Sequence, residues 1–573
     1  MKYFATLTIL ATAFVACAPA TSQVATAPAP EPVPVLPSPV APPSAPPAVA
    51  PAVAPVPSSP VPASGVREAP RDWQLLDDST DHYRGISLLR AQRELLGGRA
   101  PRKSVVVAVI DGGVDTAHAD LRPRLWINAK EVAGNAKDDD HNGYVDDMHG
   151  WNFIGGADGR DVNYDTFELT RMYVRCNGAP QTITERAMPP IDSMSCAKIA
   201  VAYADKKTEI NTTLDQMQRV QAVLNSALPF LKRAAGTDSL TPARVAALPA
   251  TSPQVVAARG LYLELARQGG TPQAIDEAVT AYGVQSKYGL NTDFDPRDIV
   301  GDNYADVNQR HYGNADVTGP DAQHGTHVAG IIAAVLRDSG GPEGIADSAR
   351  IMSVRTIPDG DERDKDVANA VRYAVDNGAR VINMSFGKSY SPFKSAVDEA
   401  IKYADEHGVL MIAASGNDGV NLDTASNFPT PRYTDGGRAA NWIEVGASSW
   451  RGGDTLATSF TDFSKTRVDV FAPGEDILST VPGGGYERLS GTSMAAPVVT
   501  GLAALIMSYY PELSAAQVKQ IILDSATRYD RTSLVPGTQT GKTAPFASMS
   551  VTGGIVNAYN ALKLAQERSG GVK

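Results

Sequence analysis

A short apolar segment constrains the fold of this chain more than any other feature. Residues Ser104–Ile110 are mostly β-branched and show no alternation with polar side chains. Such a run is typical of a strand that is buried on both faces of a parallel sheet. It ends at Asp111-Gly112-Gly113, and the carboxyl ends of parallel strands are where α/β folds bind their ligands. Asp followed by Gly is also a plain turn, so Asp111 is at this point only a candidate functional residue.

Further apolar segments repeat this pattern along the chain. Pro392 follows Ser391, and proline is favoured in the first turn of a helix. Strands that alternate with helices form a parallel sheet covered on both faces. The predicted fold class is therefore α/β, with a doubly wound parallel sheet. The predicted strands are Arg350–Arg355, Val381–Met384, Val409–Ala413 and Ile443–Ala447, and the helices among them include Asp366–Asp376 and Pro392–Glu406.

Composition excludes several classes of protein. The chain has 573 residues, of which 43% are hydrophobic, so most of it can bury a core. Its 52 Lys and Arg residues against 63 Asp and Glu residues give a net charge of −11. A chain this acidic offers no basic stripe to a phosphate backbone, and we therefore expect no nucleic-acid partner.

The N-terminus has the features of an export signal, which we assign to residues 1–16. Lys2 precedes the apolar run Phe4–Val15, which has the length of a secretory signal and is too short to span a membrane. The run ends in Phe14-Val15-Ala16-Cys17, which resembles the lipobox of bacterial lipoproteins except that Phe replaces the usual Leu. The resemblance implies a lipid on Cys17 that anchors the chain to a membrane; an ordinary signal with a chance cysteine is the alternative. Ala18 suggests, by resemblance to enterobacterial sorting, the outer membrane.

A proline-rich tether follows the signal, over residues 17–66. Of the 40 prolines in the chain, 16 lie between Ala18 and Val66, where Glu31 is the only charged residue. Proline and small apolar residues without periodicity predict a polyproline-like segment, which at about 3.1 Å per residue could reach roughly 150 Å. The globular part of the protein is expected to begin near residue 67.

Two later motifs add a histidine and a serine. His324-Gly325-Thr326-His327 and Gly491-Thr492-Ser493 each lead into a helix of small apolar residues. Two histidines three residues apart can share a metal, but the sequence has no His-Glu-x-x-His pattern and no obvious third ligand. A serine at a helix start is most often only an N-cap. Asp111, His324 and Ser493 nevertheless follow one of the known chain orders of an Asp-His-Ser triad, each inside a motif of its own.

Together these motifs resemble those of the subtilisin-like (subtilase) serine peptidases. The resemblance implies an endopeptidase that hydrolyses protein or peptide substrates through an acyl-enzyme, without a catalytic cofactor. Ser493 would be the nucleophile, His324 the general base and acid, and Asp111 the group that orients the imidazole. His327 would pack within its motif. The matching segments are Val109–Val114 with His118–Leu121, His324–Gly330 and Gly491–Pro497.

The same resemblance implies an oxyanion donor and a primary substrate pocket. Val409–Asp418 is similar to the family's strand and turn whose asparagine, here Asn417, donates to the oxyanion. An Asn after Gly is otherwise usually a turn residue. Substrate peptides bind extended along an exposed strand edge. Phe386 stands where a smaller aliphatic side chain is common, which leaves the preferred substrate residue open. The implied pocket walls are Ser385, Phe386 and Gly387 on one side and Ala414, Ser415 and Gly416 on the other.

A long insertion separates the first two motifs, since 212 residues lie between Asp111 and His324. Compact subtilases have a few tens there. We expect a peptidase domain of residues 67–150 and 313–573, interrupted by a mainly helical insertion at 151–312. Thr241-Pro242 and Thr271-Pro272 predict two helix starts. A substrate-restricting lid or an exosite is a hypothesis for its role. An apolar stripe, interpreted as a core face, consists of Ile210, Leu214, Met217, Leu224 and Leu228.

An acidic loop lies just ahead of the insertion, at Asp138–Asp147. Oxygen-bearing side chains alternate along it and Gly143 is its sixth residue, as in a calcium loop, but His149 stands at position twelve instead of Glu. Some subtilases resemble this segment at a metal-stabilised loop. A solvated acidic turn is the alternative to a structural Ca²⁺ site. The expected ligands are Asp138, Asp140, Asn142 and Asp146.

Two cysteines remain besides Cys17. Cys176 and Cys196 have 19 residues between them. Because an exported chain folds where thiols oxidise, we expect them to form a disulfide. Two buried free thiols are the alternative.

The sequence as a whole predicts an exported, lipid-anchored serine endopeptidase. Two other hypotheses stay open. One is a catalytically silent binding or adhesion lipoprotein on a peptidase scaffold, against which the complete set of Asp111, His324, Ser493 and Asn417 counts. The other is a dedicated processing peptidase with one physiological substrate.

Overall fold

The computed structural model describes residues 69–177, 191, 193–267, 270–335, 341–538 and 541–570. The predicted signal, Cys17 and the tether lie outside the described residues. Everything below concerns the described part of the chain.

A nine-stranded sheet forms the centre of the fold, in the order β10-β13-β7-β6-β5-β4-β1-β3-β2 once the strands are numbered along the chain. All neighbouring pairs are parallel except β10 with β13. β8 with β9 and β11 with β12 form separate antiparallel pairs. The five strands predicted from the sequence all exist, with ends that differ by no more than one residue. The strands are β1 (Val105–Asp111), β2 (Gly150–Asn152), β3 (Ala349–Arg355), β4 (Val381–Met384), β5 (Leu410–Ala414), β6 (Trp442–Ser448), β7 (Val470–Pro473), β8 (Ile477–Val481), β9 (Gly485–Leu489), β10 (Thr527–Arg528), β11 (Thr532–Leu534), β12 (Thr543–Pro545) and β13 (Gly554–Ile555).

The helices divide between the sheet and the insertion. Those numbered α2 to α7 lie between β2 and β3 and belong to the insertion, while α8 follows them and returns the chain to the sheet. The helices are α1 (Leu88–Ala91), α2 (Glu168–Cys176), α3 (Ser193–Ala235), α4 (Pro242–Ala246), α5 (Pro253–Arg267), α6 (Pro272–Val284), α7 (Arg297–Val300), α8 (Gln323–Ala333), α9 (Asp364–Asp376), α10 (Lys394–Glu406), α11 (Thr492–Tyr509), α12 (Ala515–Asp524) and α13 (Ala558–Arg568).

Helices cover both faces of the sheet. Val105, Val107 and Val109 of β1 share a core cluster with α8 and α11. Ala108 and Ile110 of the same strand share a second cluster with α9 and α10. Because successive side chains of a strand point to opposite faces, these clusters lie on opposite sides of the sheet. This confirms the doubly wound α/β fold and explains why β1 carries no polar alternation.

The helix α11 runs through the middle of the first cluster. Within the described residues it is the one helix long and apolar enough to cross a membrane by length and composition. However, 94% of this helix is buried inside the fold. It packs against β4, β5, β6 and β7 as well as α8. Its apolar composition is therefore accounted for by the core.

The start of α10 differs from the sequence prediction. The helix begins at Lys394, two residues after the predicted start at Pro392. The carboxylate of Asp364 accepts hydrogen bonds from the Ser391 hydroxyl at 3.0 Å and from the Phe393 backbone N–H at 2.8 Å. These bonds to α9 hold the preceding residues outside the helix, a tertiary effect that the local sequence does not contain.

The insertion is mainly helical, as predicted. Its longest helix, α3, packs against α2, α5 and α6. Ile210, Met217 and Leu224 of the predicted apolar stripe are at most 2% exposed and lie in core clusters of the insertion. The hydroxyls of Thr241 and Thr271 each accept the N–H three residues further on, at 3.2 and 3.1 Å, and so cap α4 and α6.

The two ends of the insertion meet at the edge of the sheet. Gly150–Asn152 forms β2 and pairs with β3, so the expected boundary at residue 151 falls within a strand of the main sheet. Asn152 and Asn314 exchange backbone hydrogen bonds of 3.0 and 3.1 Å. The helical part is thus a side domain, and backbone hydrogen bonds at β2 join the two chain segments that lead into and out of it.

A disulfide joins Cys176 at the end of α2 to Cys196 in α3 in the structure. The Cα atoms of the two cysteines are 5.4 Å apart, within the range that a disulfide requires. The link fastens the first helix of the insertion to its longest one.

A buried ion cluster connects the insertion to the domain that contains the nine-stranded sheet. The guanidinium of Arg297, in the insertion, donates to both carboxylate oxygens of Asp366 in α9 at 2.6 and 2.8 Å. It also donates to Asp302 at 2.5 Å. The side chain of Arg297 is 3% exposed and those of the two aspartates are fully buried. Charges this deeply buried require their partners.

We therefore predict that Arg297→Ala lowers the free energy of unfolding by about 3–5 kcal/mol, since it leaves two carboxylates buried with part of their charge unpaired. Urea denaturation of the purified protein measures this. Arg267→Ala is the matched control, because Arg267 pairs with Glu264 on the exposed surface of the insertion and should change little. Equal stability of the two variants would contradict the prediction.

Candidate active site

The site lies at the carboxyl edge of the sheet, where β1 ends. Asp111 is the last residue of β1 and is 3% exposed. Its carboxylate oxygen Oδ1 accepts the Gly112 N–H at 2.8 Å, and its backbone carbonyl accepts the Thr356 N–H at 2.9 Å. Asp111 is thereby held by its own turn and by the segment after β3.

His324 faces Asp111 from the first turn of α8. The imidazole Nδ1 lies 2.8 Å from Oδ1 and 3.0 Å from Oδ2 of Asp111. Its side chain is 42% exposed, so the opposite edge of the ring is open to a substrate. An ideal Cβ on Gly325 would lie only 2.2 Å from the Gly113 carbonyl oxygen and 3.1 Å from Asp111 Oδ1. Glycine at this position is what allows α8 to approach β1.

The second histidine of the motif is separate from this pair. His327 is fully buried, and its Nε2 lies 3.0 Å from the carbonyl oxygens of both Ile477 and Glu487. It therefore links α8 to the hairpin of β8 and β9. This arrangement accords with a packing role.

Ser493 lies in the first turn of α11, next to the end of β4. Its hydroxyl donates to the Ser385 carbonyl oxygen at 3.1 Å, and the Ser385 hydroxyl donates to the Ser493 carbonyl oxygen at 2.9 Å. This reciprocal contact sets the helix N-terminus directly against the first residue of the predicted pocket wall.

Asn417 is anchored by its amide oxygen. Oδ1 accepts the Thr492 backbone N–H at 2.8 Å and the Thr492 hydroxyl at 3.1 Å. This fixes the amide so that its NH₂ group points away from Thr492. An ideal Cβ on Gly491 would lie 3.6 Å from both Asn417 Nδ2 and the Ser493 backbone nitrogen. Two N–H donors thus flank one small space beside Gly491.

The predicted pocket walls follow β4 and β5. Ser385 and Ala414 are buried, and Gly387 is exposed at the end of its wall. The ring of Phe386 packs on the core cluster around α9 and α10. It therefore does not occupy the pocket, although the sequence left its influence on the preferred substrate residue open.

Asn427 forms the floor between the two walls, a role that the sequence did not reveal. Its Oδ1 is 2.5 Å from where a Cβ on Gly387 would lie, and its Nδ2 donates to the Ser415 carbonyl oxygen at 2.9 Å. The side chain thus touches both walls. A single asparagine in a loop, ten residues after Asn417, carries no local signal that would have identified it.

One wall continues into the insertion. Lys388 follows Gly387, is 5% exposed, and binds Glu168 of α2 and Asp364 of α9, both at 2.9 Å. Burial opposes its charge, but the carboxylates around it hold the pKa of Lys388 above its ordinary range. The insertion is therefore connected to the pocket wall through one buried cation.

The acidic loop gathers part of the predicted metal-ligand set. Carboxylate oxygens of Glu131, Asp138 and Asp140 lie within 4.8 Å of one another. Glu131 Oε1 accepts the backbone N–H groups of Asp139 and Asp140, whereas its Oε2 is buried without a hydrogen-bond partner. An unpaired buried carboxylate oxygen is costly, and a hard cation such as Ca²⁺ would satisfy it. The residues present fit a Ca²⁺ ion.

Asp146 lies outside that group of carboxylates, and Asn142 is the one amide in the predicted set. Asp146 accepts backbone N–H groups from the preceding turn, from Gly134 at 2.9 Å and Ala136 at 2.8 Å. Asn142 uses its oxygen for the Tyr144 N–H at 2.8 Å. The carboxylates that converge here are therefore Glu131, Asp138 and Asp140, while the side chains of Asn142 and Asp146 also hold turns of the loop. Glu131 was not named from the sequence because it lies outside the acidic run.

Comparison with known proteins shows which protein family the chain matches. The model of the subtilase family matches residues 102–544. The chain is 42% identical over 186 residues to a thermophilic serine proteinase of Bacillus sp. (strain AK1), covering 32% of this chain and 42% of that protein. It is 38% identical over 213 residues to subtilisin BL of Lederbergia lenta, covering 37% and 72%. With thermitase of Thermoactinomyces vulgaris the identity is 36% over 241 residues, covering 42% and 75%.

Among solved structures, the prenylagaramide maturation protease PagA is 30% identical over 42% of this chain and 82% of that one, with a TM-score of 0.34. A cold-adapted subtilisin-like serine proteinase has a TM-score of 0.32 and 28% identity over 42% and 77% of the two chains.

Proposed function

Because the chain belongs to the subtilase family, we propose that it is an exported, lipid-anchored serine endopeptidase in which Asp111, His324 and Ser493 form the catalytic triad. Family membership makes it a serine peptidase. The hydrogen bond between Asp111 and His324, at the sheet edge where Ser493 and Asn417 also lie, is the observation that carries the residue assignment.

The geometry accounts for the steps of peptide hydrolysis. Rotation of the Ser493 side chain from the Ser385 carbonyl toward the imidazole lets His324 Nε2 take the hydroxyl proton as Ser493 Oγ attacks the substrate carbonyl. Asp111 accepts the hydrogen bond of Nδ1–H, fixes the tautomer and stabilises the imidazolium. His324 then gives the proton to the leaving amine. In the second half of the reaction, water gives a proton to His324 and attacks the carbonyl carbon of the acyl-enzyme. His324 then returns the proton to Ser493 Oγ as the acid product leaves.

The charge that develops on the substrate oxygen requires donors already in place. The NH₂ group of Asn417 and the backbone N–H of Ser493 flank the same space beside Gly491. Because the amide oxygen of Asn417 is fixed by Thr492, its donor orientation costs no reorganisation during the reaction. We assign these two groups as the oxyanion donors, acting on substrates that lie between the walls at Ser385–Gly387 and Ala414–Gly416.

A dedicated processing peptidase is the second candidate function. The attachment of the insertion to Lys388 favours it, because this contact joins the insertion to a wall that a bound substrate would touch. Such an enzyme would be labelled by a fluorophosphonate yet cleave casein negligibly. Profiling cleavage sites in a peptide library separates the two.

We predict that a fluorophosphonate labels Ser493 and that Ser493→Ala abolishes both labelling and peptide cleavage, because no other group can form the acyl-enzyme. Mass spectrometry of the labelled peptide and a fluorogenic peptide assay measure this. Ser548→Ala, at an exposed serine far along the chain, is the control and should keep both. Cleavage by Ser493→Ala at the rate of the parent protein would refute the assignment.

For the anchor, we predict that cells expressing the protein incorporate palmitate into it and that Cys17→Ser abolishes incorporation, because lipid attachment needs the thiol that follows the signal. The double variant Cys176→Ser, Cys196→Ser is the control and should stay labelled. Cell fractionation should find the parent in the outer-membrane fraction. An unlabelled, soluble parent protein would contradict the anchor.

We further propose that Glu131, Asp138 and Asp140 hold a structural Ca²⁺. Three carboxylates within 4.8 Å repel one another, and the ion would relieve this in the folded state alone. A ligand that binds only the folded state stabilises it by about 2.7 kcal/mol at a hundredfold excess over Kd.

Calcium is therefore predicted to raise the melting temperature by a few degrees and to slow autolysis. Glu131→Gln and Asp140→Ala should remove most of the shift. Asp158→Ala is the control, because it removes one exposed carboxylate elsewhere on the surface. Identical melting curves of the parent in calcium and in chelator would show that the loop is a solvated acidic turn.

A further inference from the structure

A single buried carboxylate holds the turn that carries Asn417. Asp462 is 2% exposed. Its Oδ1 accepts the backbone N–H groups of Asp418 at 3.0 Å and Val420 at 2.9 Å. These bonds fix the chain immediately after Asn417.

Asp462 also fixes the chain immediately before Asn417. Its backbone N–H donates to the Gly416 carbonyl oxygen at 2.9 Å, and its backbone carbonyl accepts the Ser415 hydroxyl at 3.0 Å. An ideal Cβ on Gly416 would lie 2.2 Å from Asp462 Oδ2, and Gly416 has a φ of +116°. The carboxylate therefore fills the space that a side chain at position 416 would need.

Two sets of bonds thus determine where the amide of Asn417 lies. Thr492 orients the side chain from the helix, and Asp462 positions the backbone from the opposite side. Neither set can replace the other, because an oriented side chain on a shifted backbone still points to the wrong place. A displacement of about 1 Å at a reacting centre can cost about 10²-fold in rate.

We propose that Asp462 is the positioning residue of the oxyanion donor: its carboxylate holds the turn 416–420 so that the NH₂ group of Asn417 stays beside the Ser493 backbone N–H. The inference rests on the proposed function, since it needs Asn417 to act on a substrate oxyanion. Asp462 itself touches no substrate and acts only through Asn417.

The surroundings of Asp462 make its hold on the turn 416–420 depend on pH. Burial raises the pKa of Asp462 to about 7; the carboxylate of Asp418 adds to the rise, and backbone N–H groups of the turn oppose it. The carboxyl group of Glu444 on β6 also interacts with Asp462. Because the folded-state pKa lies above the unfolded value of 3.8, the group favours the folded state at low pH and loses that contribution as the pH rises through about 7. The ionised form, present above that pH, is the stronger acceptor for the turn.

A double-mutant cycle on kcat tests the role. Asp462→Ala should lower kcat by at least about tenfold with KM nearly unchanged, because only transition-state stabilisation is lost. In an Asn417→Ala background the same substitution should change kcat by less than about threefold, since no donor remains to be positioned. If the kcat of the double variant is lowered by the product of the two single-variant factors, the proposal is overturned.

The conservative variant keeps the test open if Asp462→Ala fails to fold. Asp462→Asn retains a neutral acceptor and should keep most of kcat at pH 6, where the parent carboxyl is largely protonated. The ratio of parent to Asp462→Asn kcat should rise between pH 6 and pH 8 as the parent ionises. A ratio that stays constant over this range would overturn the proposal.

Asp423→Ala is the matched control. Asp423 joins the same two stretches of chain through the hydroxyls of Ser464 and Thr466, both at 2.6 Å, but makes no bond to the turn 416–420. Its kcat should match the parent, and a loss equal to that of Asp462→Ala would overturn the proposal. A parent protein that neither cleaves peptides nor reacts with a fluorophosphonate refutes the proposed function instead, so the two failures are distinguishable.

Discussion

The parallel register of β1, β4 and β5 is the constraint on which the site depends. Ile110 lies opposite Met384, and Met384 lies opposite Ala413. The next residues, Asp111, Ser385 and Ala414, therefore form one row at the carboxyl edge of the sheet. Because parallel strands all end in the same direction, three chain segments far apart in sequence deliver their polar ends to one place.

Two glycines allow further chain segments to pack closely against this row of residues. Gly325 allows α8 to bring His324 against Asp111, and Gly416 allows Asp462 to pack against the turn that bears Asn417. In each case a Cβ would come within 2.2 Å of another atom, so the approach is possible only without a side chain. The helix N-terminus that carries His324 is thus positioned by backbone contact, and the turn that carries Asn417 is positioned by a buried carboxylate.

The described part of the insertion is attached to the sheet domain through buried charges. Its attachment relies on charges buried among their partners, as in the cluster of Arg297, Asp302 and Asp366. Such clusters are costly to disrupt but impose a definite geometry on the groups they join. Through Lys388 the same kind of contact joins the insertion to the residue that follows Gly387.

Local pattern determined the sheet and the main helices. The strands around Asp111, Ser385 and Asn417 were predictable because a buried parallel strand has a continuous apolar composition. The assignment of Asp111, His324 and Ser493 also came from local pattern, since each stands in a long motif. The helix caps at Thr241 and Thr271 were predictable for the same reason, since a cap is a local hydrogen bond.

Tertiary structure decided what depends on contacts between distant segments. Glu131 lies beside Asp138 and Asp140, whereas Asp146 accepts backbone N–H groups of a neighbouring turn. The helix α10 starts late because Asp364 binds the residues before it. Asn427 and Asp462 carry no motif of their own. Their roles come from which backbone groups the fold sets against them, and a sequence does not state that until the chain has folded.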